Sequence, residues 1–327
     1  MSAPLLEIDD LHVHFPMRGG FLSRDRRVVH AVSGVSLTLN EGECLSIVGE
    51  SGCGKSTTAL TVMGLQEPTS GAVRFRGQPI TGPGAPGRMA RARIAQMVFQ
   101  DPYASLNPRQ TVYQSLAGPL RLHGRGSRAE IDARVAEIMR HVGLTPEQAG
   151  RYPHEFSGGQ RQRIGIARAL ILDPELIVLD EPVSALDVSI RAQIINLLLD
   201  LQERLSLSYI MISHDLGVVE HMSDRVAVMY FGQIVEIGPW DAIFAKPTHP
   251  YTRKLISTIP DPDAILHKGA AEALPKAEPP PGYAFYPQNI ERPDIYTPPE
   301  PSELIEIGAG HFVRCQPVGA RAMMAGV

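Results

Sequence analysis

The sequence predicts an α/β fold with a mainly parallel core sheet, and three observations carry that prediction. Residues 45–48, 176–179 and 209–212 are apolar runs without alternation, the pattern of strands covered on both faces. Between them lie segments of helical spacing, above all Ile190, Ile194, Leu198, Leu201 and Leu205, spaced four, four, three and four. The first apolar run ends in a glycine-rich turn, residues 49–57, and the chain then becomes helix-compatible over 58–65.

Taken in order, residues 5–15 alternate loosely (Leu6, Ile8, Leu11, Val13, Phe15) and predict an early strand. Residues 18–27 form a polar loop whose four arginines read as solvated. A second alternating run, 28–39, closes on the turn Asn40-Glu41-Gly42. Beyond the helix at 58–65 come a turn at 67–71, a short strand at 72–75 and a Pro/Gly loop at 77–87. Residues 93–100 predict another strand, and Pro102 and Pro108 then break regular structure twice. Helical periods return over 111–122 and 128–142, with Ile131, Val135, Ile138 and Val142 on one face. Lying between strand-rich parts, they predict an inserted helical subdomain over about 101–157. Ser157 is the N-cap of a helix that stops at Asp173-Pro174. Residues 226–230 and 233–237 flank Phe231-Gly232 as a hairpin. Twelve of the 28 prolines fall in residues 259–327, where periodic signals fade, so this part predicts a separate, loosely structured extension after a first domain of residues 1–258.

Composition narrows the function. A net charge of −4 provides no global basic field for nucleic acid. No apolar run approaches the roughly 18 residues needed to cross a bilayer. The N-terminal ten residues carry acids rather than the basic start of a signal peptide. Cys44, Cys53 and Cys315 lack metal-ligand spacing, which suits a reducing compartment.

Gly49 to Ser56 fits G-x-x-x-x-G-K-[ST] at every fixed position, the pattern of a nucleoside triphosphate cradle. Backbone N–H groups of Gly49, Glu50, Ser51, Gly52, Cys53, Gly54, Lys55, Ser56 and Thr57 can converge on phosphate oxygens. Lys55 can reach the β- and γ-phosphates, and the Ser56 hydroxyl can ligate Mg²⁺. Asp180 and Glu181 end a buried strand, where α/β sheets hold ligands. There Asp180 can hold Mg²⁺ and Glu181 can act as general base on a water. Ser157, Gly158 and Gly159 offer a second helix start whose N–H groups are open to phosphate.

In order, these motifs resemble the nucleotide-binding subunit of an ABC transporter over at least residues 5–258. Residues 49–57 match the Walker A loop, Gln100 the Q-loop, and Phe156 to Gln160 the LSGGQ signature with Phe in place of Leu. Residues 176–181 match Walker B, Ser184-Ala185-Leu186-Asp187 the D-loop, and His214 the switch histidine. Phe15 stands where the family stacks an aromatic ring on adenine. The resemblance implies a RecA-like P-loop core, an antiparallel β subdomain, and a sandwich of two subunits. There Ser157, Gly158, Gly159 and Gln160 serve the partner's ATP, while His214 holds the γ-phosphate and Gln100 senses Mg²⁺ and the membrane partner. Segments 98–109, 151–159, 180–189 and 249–252 are similar to the oligopeptide/dipeptide importer branch, which also takes up nickel, some oligosaccharides and glutathione. The chain resembles the second of that branch's two ATPase subunits.

This implies uptake of peptides or related solutes, with a second and different ATPase chain, two permease subunits and an extracytoplasmic solute-binding protein as partners. The implied location is peripheral, on the cytoplasmic face of the cell's inner membrane. The alternative is a soluble ABC-type ATPase of translation or DNA repair; such proteins commonly fuse two ATPase halves or insert zinc or coiled-coil segments, and this sequence has neither. Family members often carry four cysteines in the C-terminal region as an iron–sulfur site. Here Tyr283, Asn289 and Tyr296 stand at the first three positions and only Cys315 remains, so no cluster is expected.

Overall fold

The computed structural model of the chain describes residues 3–17, 27–258, 277–288, 290 and 295–318. The arginine loop at 18–27 therefore lies outside the described residues except for Arg27, and so does Asn289. Two antiparallel strands open the chain, β1 (Leu6–Pro16) and β2 (Val28–Leu39), followed by β3 (Cys44–Val48). Helix α1 (Lys55–Val62) comes next, then β4 (Ser70–Phe75) and the two-residue β5 (Gln78–Pro79). Helix α1 starts three residues earlier than its apolar spacing suggests, so its N-terminus lies inside the glycine-rich turn.

The next stretch departs from expectation. Helix α2 (Arg88–Ile94) precedes β6 (Ala95–Val98), shortening the strand expected over 93–100. A single turn, α3 (Pro102–Ser105), occupies the segment read as broken by prolines. Pro102 sits at its first turn, where no N–H is needed, and Asp101 caps it by accepting from the N–H groups of Tyr103 and Ala104. Helices α4 (Val112–Leu122) and α5 (Arg128–His141) follow as expected, each opened by a reciprocal capping pair, Thr111 with Gln114 and Ser127 with Glu130. Two short 3-10 turns lead to α6 (Gly158–Leu170), capped by Ser157.

Strand β7 (Leu176–Asp180), helix α7 (Val188–Leu205) and strand β8 (Ser208–Ile212) complete the α/β repeat. Helix α8 (Leu216–Met222), the hairpin β9 (Arg225–Tyr230) and β10 (Gln233–Pro239), α9 (Trp240–Ala245) and α10 (Pro250–Ile256) come next. The described part of the C-terminal extension holds β11 (Tyr283–Phe285), β12 (Glu303–Gly308) and β13 (His311–Pro317).

Strands β6, β7, β8, β3 and β9 form a parallel sheet in that order. Its unbroken apolar runs have a direct cause. Leu45, Ile47, Leu176, Val178, Ile210 and Ile212 enter one core, against the antiparallel sheet β2-β1-β4-β5 and α1. Val48, Ile177, Leu179, Tyr209 and Met211 enter the other, against helices α6, α7 and α8. Both faces are covered, so neither parity faces solvent, and the polar Ser46 within β3 is buried with its hydroxyl paired to that of Ser223.

The extension is neither separate nor loose where it is described. Strand β13 pairs antiparallel with β10, Glu236 opposite Val313, and thereby lengthens the main sheet. Val313 and Cys315 are fully buried there, although the surrounding prolines hide this strand signal in the sequence.

Candidate functional site

The glycine-rich loop, residues 49–57, leaves the C-terminal end of β3 and is held closely by its neighbours. A Cβ on Gly49 would lie 2.1 Å from the Met229 carbonyl oxygen, so only glycine fits this approach. Gly54, at φ +110, passes the Ala31 carbonyl of β2, which a Cβ would meet at 2.3 Å. The antiparallel sheet thus flanks the loop, and Phe15, opposite Val29 on the neighbouring strand and 38% exposed, lies on that side of it. The buried Lys55 ammonium donates to the carbonyls of Gly49 (2.7 Å) and Glu50 (2.8 Å), which holds it at the centre of the loop.

Four further groups converge beyond the loop. Ser56 Oγ lies 3.5 Å from Asp180 Oδ1 at the end of β7. Burial and the neighbouring Glu181 charge raise the Asp180 pKa, partly offset by Ser56 and Lys55. Glu181 turns left-handed at φ +48 and donates its N–H to the Ile212 carbonyl on β8. This turn aims its carboxylate between two elements: Gln100 Nε2 donates to Oε2 at 2.8 Å, and His214 Nδ1 lies 3.1 Å from Oε1. Both carboxylate oxygens are therefore oriented by side chains from the ends of other strands.

Asp215, which follows His214, caps α8 through Oδ1 and pairs with Arg191 of α7 through Oδ2. Arg191 also donates to the Leu186 carbonyl at 3.5 Å, which ties Ser184, Ala185, Leu186 and Asp187 to the His214 segment. The Ser184 hydroxyl donates to the Glu181 carbonyl at 3.1 Å, and Asp187 precedes α7 as its N-cap residue.

The segment Ser157 to Gln160 is organised differently. Ser157 and Gln160 form a reciprocal capping box, at 3.4 and 3.1 Å. A Cβ on Gly159 would sit 2.4 Å from Ile190 Cγ2, and one on Gly158 would sit 3.7 Å from Leu186. This helix start thus packs on the Leu186–Ile190 region. No hydrogen bond or ion pair among the described residues joins it to residues 49–57.

Sequence reasoning did not find Arg191, nor Tyr251, whose hydroxyl accepts from the Glu50 N–H at 2.9 Å. For Tyr251 the only sequence signal is its place in the segment 249–252. Among the described residues no group of three or more His, Cys, Asp or Glu side chains could hold a metal ion by itself. The donor set at the loop is of another kind. The Ser56 hydroxyl, the Asp180 carboxylate and the Gln100 amide oxygen are hard donors, which suit Mg²⁺ held jointly with phosphate oxygens. No helix among the described residues is long and apolar enough to cross a membrane.

Residues 32–184 match the family described as ABC transporter, and residues 235–288 match the oligopeptide/dipeptide transporter, C-terminal region. The glutathione import ATP-binding protein GsiA of Salmonella paratyphi A is 50% identical over 310 residues, covering 95% of this chain and 48% of that protein. The chain thus spans about half the length of such curated relatives. Among solved structures, cbiO1 from Clostridium perfringens, part of the ABC transporter complex cbiONQ, superposes with a TM-score of 0.64 at 28% identity. That match covers 75% of this chain and 92% of cbiO1. The dimeric ATP-binding cassette MJ0796, in a post-hydrolysis state bound to ADP and Pi, gives 0.62 at 28% identity, over 72% of this chain and 98% of its own. With the glycine-rich loop, the acidic strand end and the C-terminal region all inside these matches, the chain belongs to the ABC transporter family, in its oligopeptide/dipeptide branch.

Proposed function

We propose that this chain is the ATP-hydrolysing subunit of an ABC importer that energises uptake of peptides or related solutes through separate permease subunits. One observation carries the reading: Gln100, Glu181 and His214 converge at the strand ends beside the Lys55 loop. ATP lies with its phosphates along residues 49–57 and its adenine towards Phe15. Lys55 and His214 bind the γ-phosphate. Glu181, its two oxygens oriented by Gln100 and His214, takes the proton of the attacking water, a role worth about 10²–10⁴ in rate. Ser56, Asp180 and Gln100 would hold Mg²⁺, which when bound offsets phosphate charge.

Ser157, Gly158, Gly159 and Gln160 serve the nucleotide of a second ATPase subunit, and Ser184 to Asp187 line the joint between the two. The Ser157–Gln160 helix start packs on Leu186 and Ile190, next to the residues proposed to line the joint, which supports such a pair. Two permease subunits meet the complex near Gln100, an extracytoplasmic binding protein delivers the solute, and the chain works at the cytoplasmic face of the membrane. The relatives' name, glutathione import ATP-binding protein, favours a solute of small-peptide size. With Tyr283, Tyr296 and one thiol at Cys315, an iron–sulfur centre is not part of this reading, and stoichiometric iron in the purified protein would overturn that point.

Glu181→Gln should lower ATP hydrolysis at least a hundredfold while ATP still drives dimerisation, read by light scattering. Full turnover in that variant would remove the general-base role. Lys55→Ala should abolish binding of a fluorescent ATP analogue.

A further inference from the structure

The C-terminal extension reaches the back of the phosphate loop through a short chain of buried contacts. Tyr251, 1% exposed, accepts the Glu50 N–H of the loop at 2.9 Å. Its ring packs on that of Tyr230, with centroids 4.4 Å apart and planes at 51°. The Tyr230 hydroxyl in turn donates to the Ile290 carbonyl of the extension at 2.7 Å. One tyrosine of the pair therefore holds the loop, and the other holds the extension. Tyr230 directly follows Met229, whose carbonyl is the surface against which Gly49 is pressed.

Further contacts fix the frame around this pair. Glu236 on β10 is fully buried, and its carboxylate accepts from the N–H groups of Thr248 and His249, at 2.8 and 2.9 Å, and from His311 Nε2 of the extension, at 2.8 Å. Three donors satisfy a charge that would otherwise be costly to bury. His249 accepts the Tyr251 N–H at Nδ1 and so must donate from Nε2, which it does to the Tyr286 carbonyl of the extension at 3.0 Å. Arg314 of β13 donates to the Ile234 carbonyl at 2.6 Å. Residues 248–251, which carry Tyr251, are thus positioned from the extension on two sides.

We infer that the C-terminal extension sets the conformation of the phosphate loop through Tyr230 and Tyr251, with Tyr251 a positioning residue for nucleotide binding. The inference rests on residues 49–57 being the triphosphate cradle. The loop binds phosphate only when its N–H groups converge, and the Tyr251 hydroxyl, by holding the Glu50 N–H at the back of the loop, fixes the peptide from which the phosphate-facing residues 51–57 continue. Without that hydroxyl the Glu50 peptide can rotate, and binding must first restore its orientation. The extension so acts on nucleotide affinity rather than on the chemical step.

The test uses the full chain, a fluorescent ATP analogue for affinity, and steady-state hydrolysis. Tyr251→Phe keeps the ring and removes only the acceptor. Affinity should fall about fivefold, the worth of one neutral hydrogen bond, with KM raised to match and kcat within twofold. Tyr230→Phe, which cuts only the bond to Ile290, should weaken affinity in the same direction by at least threefold, and it decides alone if Tyr251→Phe shows no cooperative thermal transition. Tyr230→Phe within twofold of the parent overturns the inference. So does a fall in kcat without a change in affinity. Lys55→Ala is measured alongside: if it keeps full nucleotide affinity, the cradle reading fails instead, and the tyrosine results no longer bear on ATP.

Discussion

Gly159 answers to two demands at the residue scale. Its N–H belongs to the helix start proposed to serve a partner's nucleotide, and its missing Cβ leaves room for Ile190, which would otherwise be met at 2.4 Å. Adding one methyl group there should force α6 and α7 apart. Overpacking of this kind costs about 1–3 kcal/mol, and better helix propensity returns less than about 1. Gly159→Ala should therefore lower the unfolding free energy by about 1 kcal/mol in urea titration and also reduce hydrolysis. Unchanged stability with lost hydrolysis would assign Gly159 to the nucleotide alone. The motif was legible in the sequence, but this packing was not, because Ile190 lies 31 residues away and meets Gly159 only in the fold. The same holds for Gln100, Glu181 and His214. The type and place of Glu181 pointed to phosphate chemistry and the resemblance to the family singled out Gln100 and His214, whereas their convergence depends on strand order β6-β7-β8.

Among the elements, the parallel strands and the capped helices were readable because their signals are local. Continuous apolar runs and pairs such as Thr111 with Gln114 need no tertiary context. Helices α2, α8, α9 and α10 are each only six or seven residues long, too short to show a period. Asp101-Pro102 reads as a break but is a cap followed by a helix start. What joins elements was least legible, and Arg191 is the example. From α7 it holds Asp215 at the head of α8 and the carbonyl of Leu186. Arg191→Ala should leave Asp215 capping α8 through its other oxygen while loosening the placement of His214. The expected outcome is a fall in kcat of about tenfold with nucleotide affinity within twofold, read by steady-state hydrolysis and analogue titration. Equal losses in both would mean that Arg191 merely supports the fold.

For the whole molecule, the point hardest to read was that the proline-rich C-terminal part completes the main sheet. Edge strand β10 offers unpaired backbone groups, and β13 takes them, although its own sequence is short and flanked by proline. The seam between the two parts has a consequence for acid stability. His249 is fully buried at this seam, accepts the Tyr251 N–H and donates to Tyr286. Burial pushes its pKa down from 6.5 to about 4. In the unfolded chain the imidazole takes up a proton below about 6.5, while the folded chain does not until about 4. The unfolded state therefore binds more protons across that window. Stability is fully present above pH 6.5 and is lost as the pH falls towards 4, at up to about 1.4 kcal/mol per unit for this one group. Urea midpoints measured from pH 7.5 to 5 should drop accordingly. His249→Asn, which cannot titrate, should start lower at pH 7.5 because the ring's bonds are lost, and should show a flatter pH dependence over the same range. Parallel slopes for the two proteins would place the acid sensitivity at other groups, and the seam between core and extension would then not be where low pH first acts.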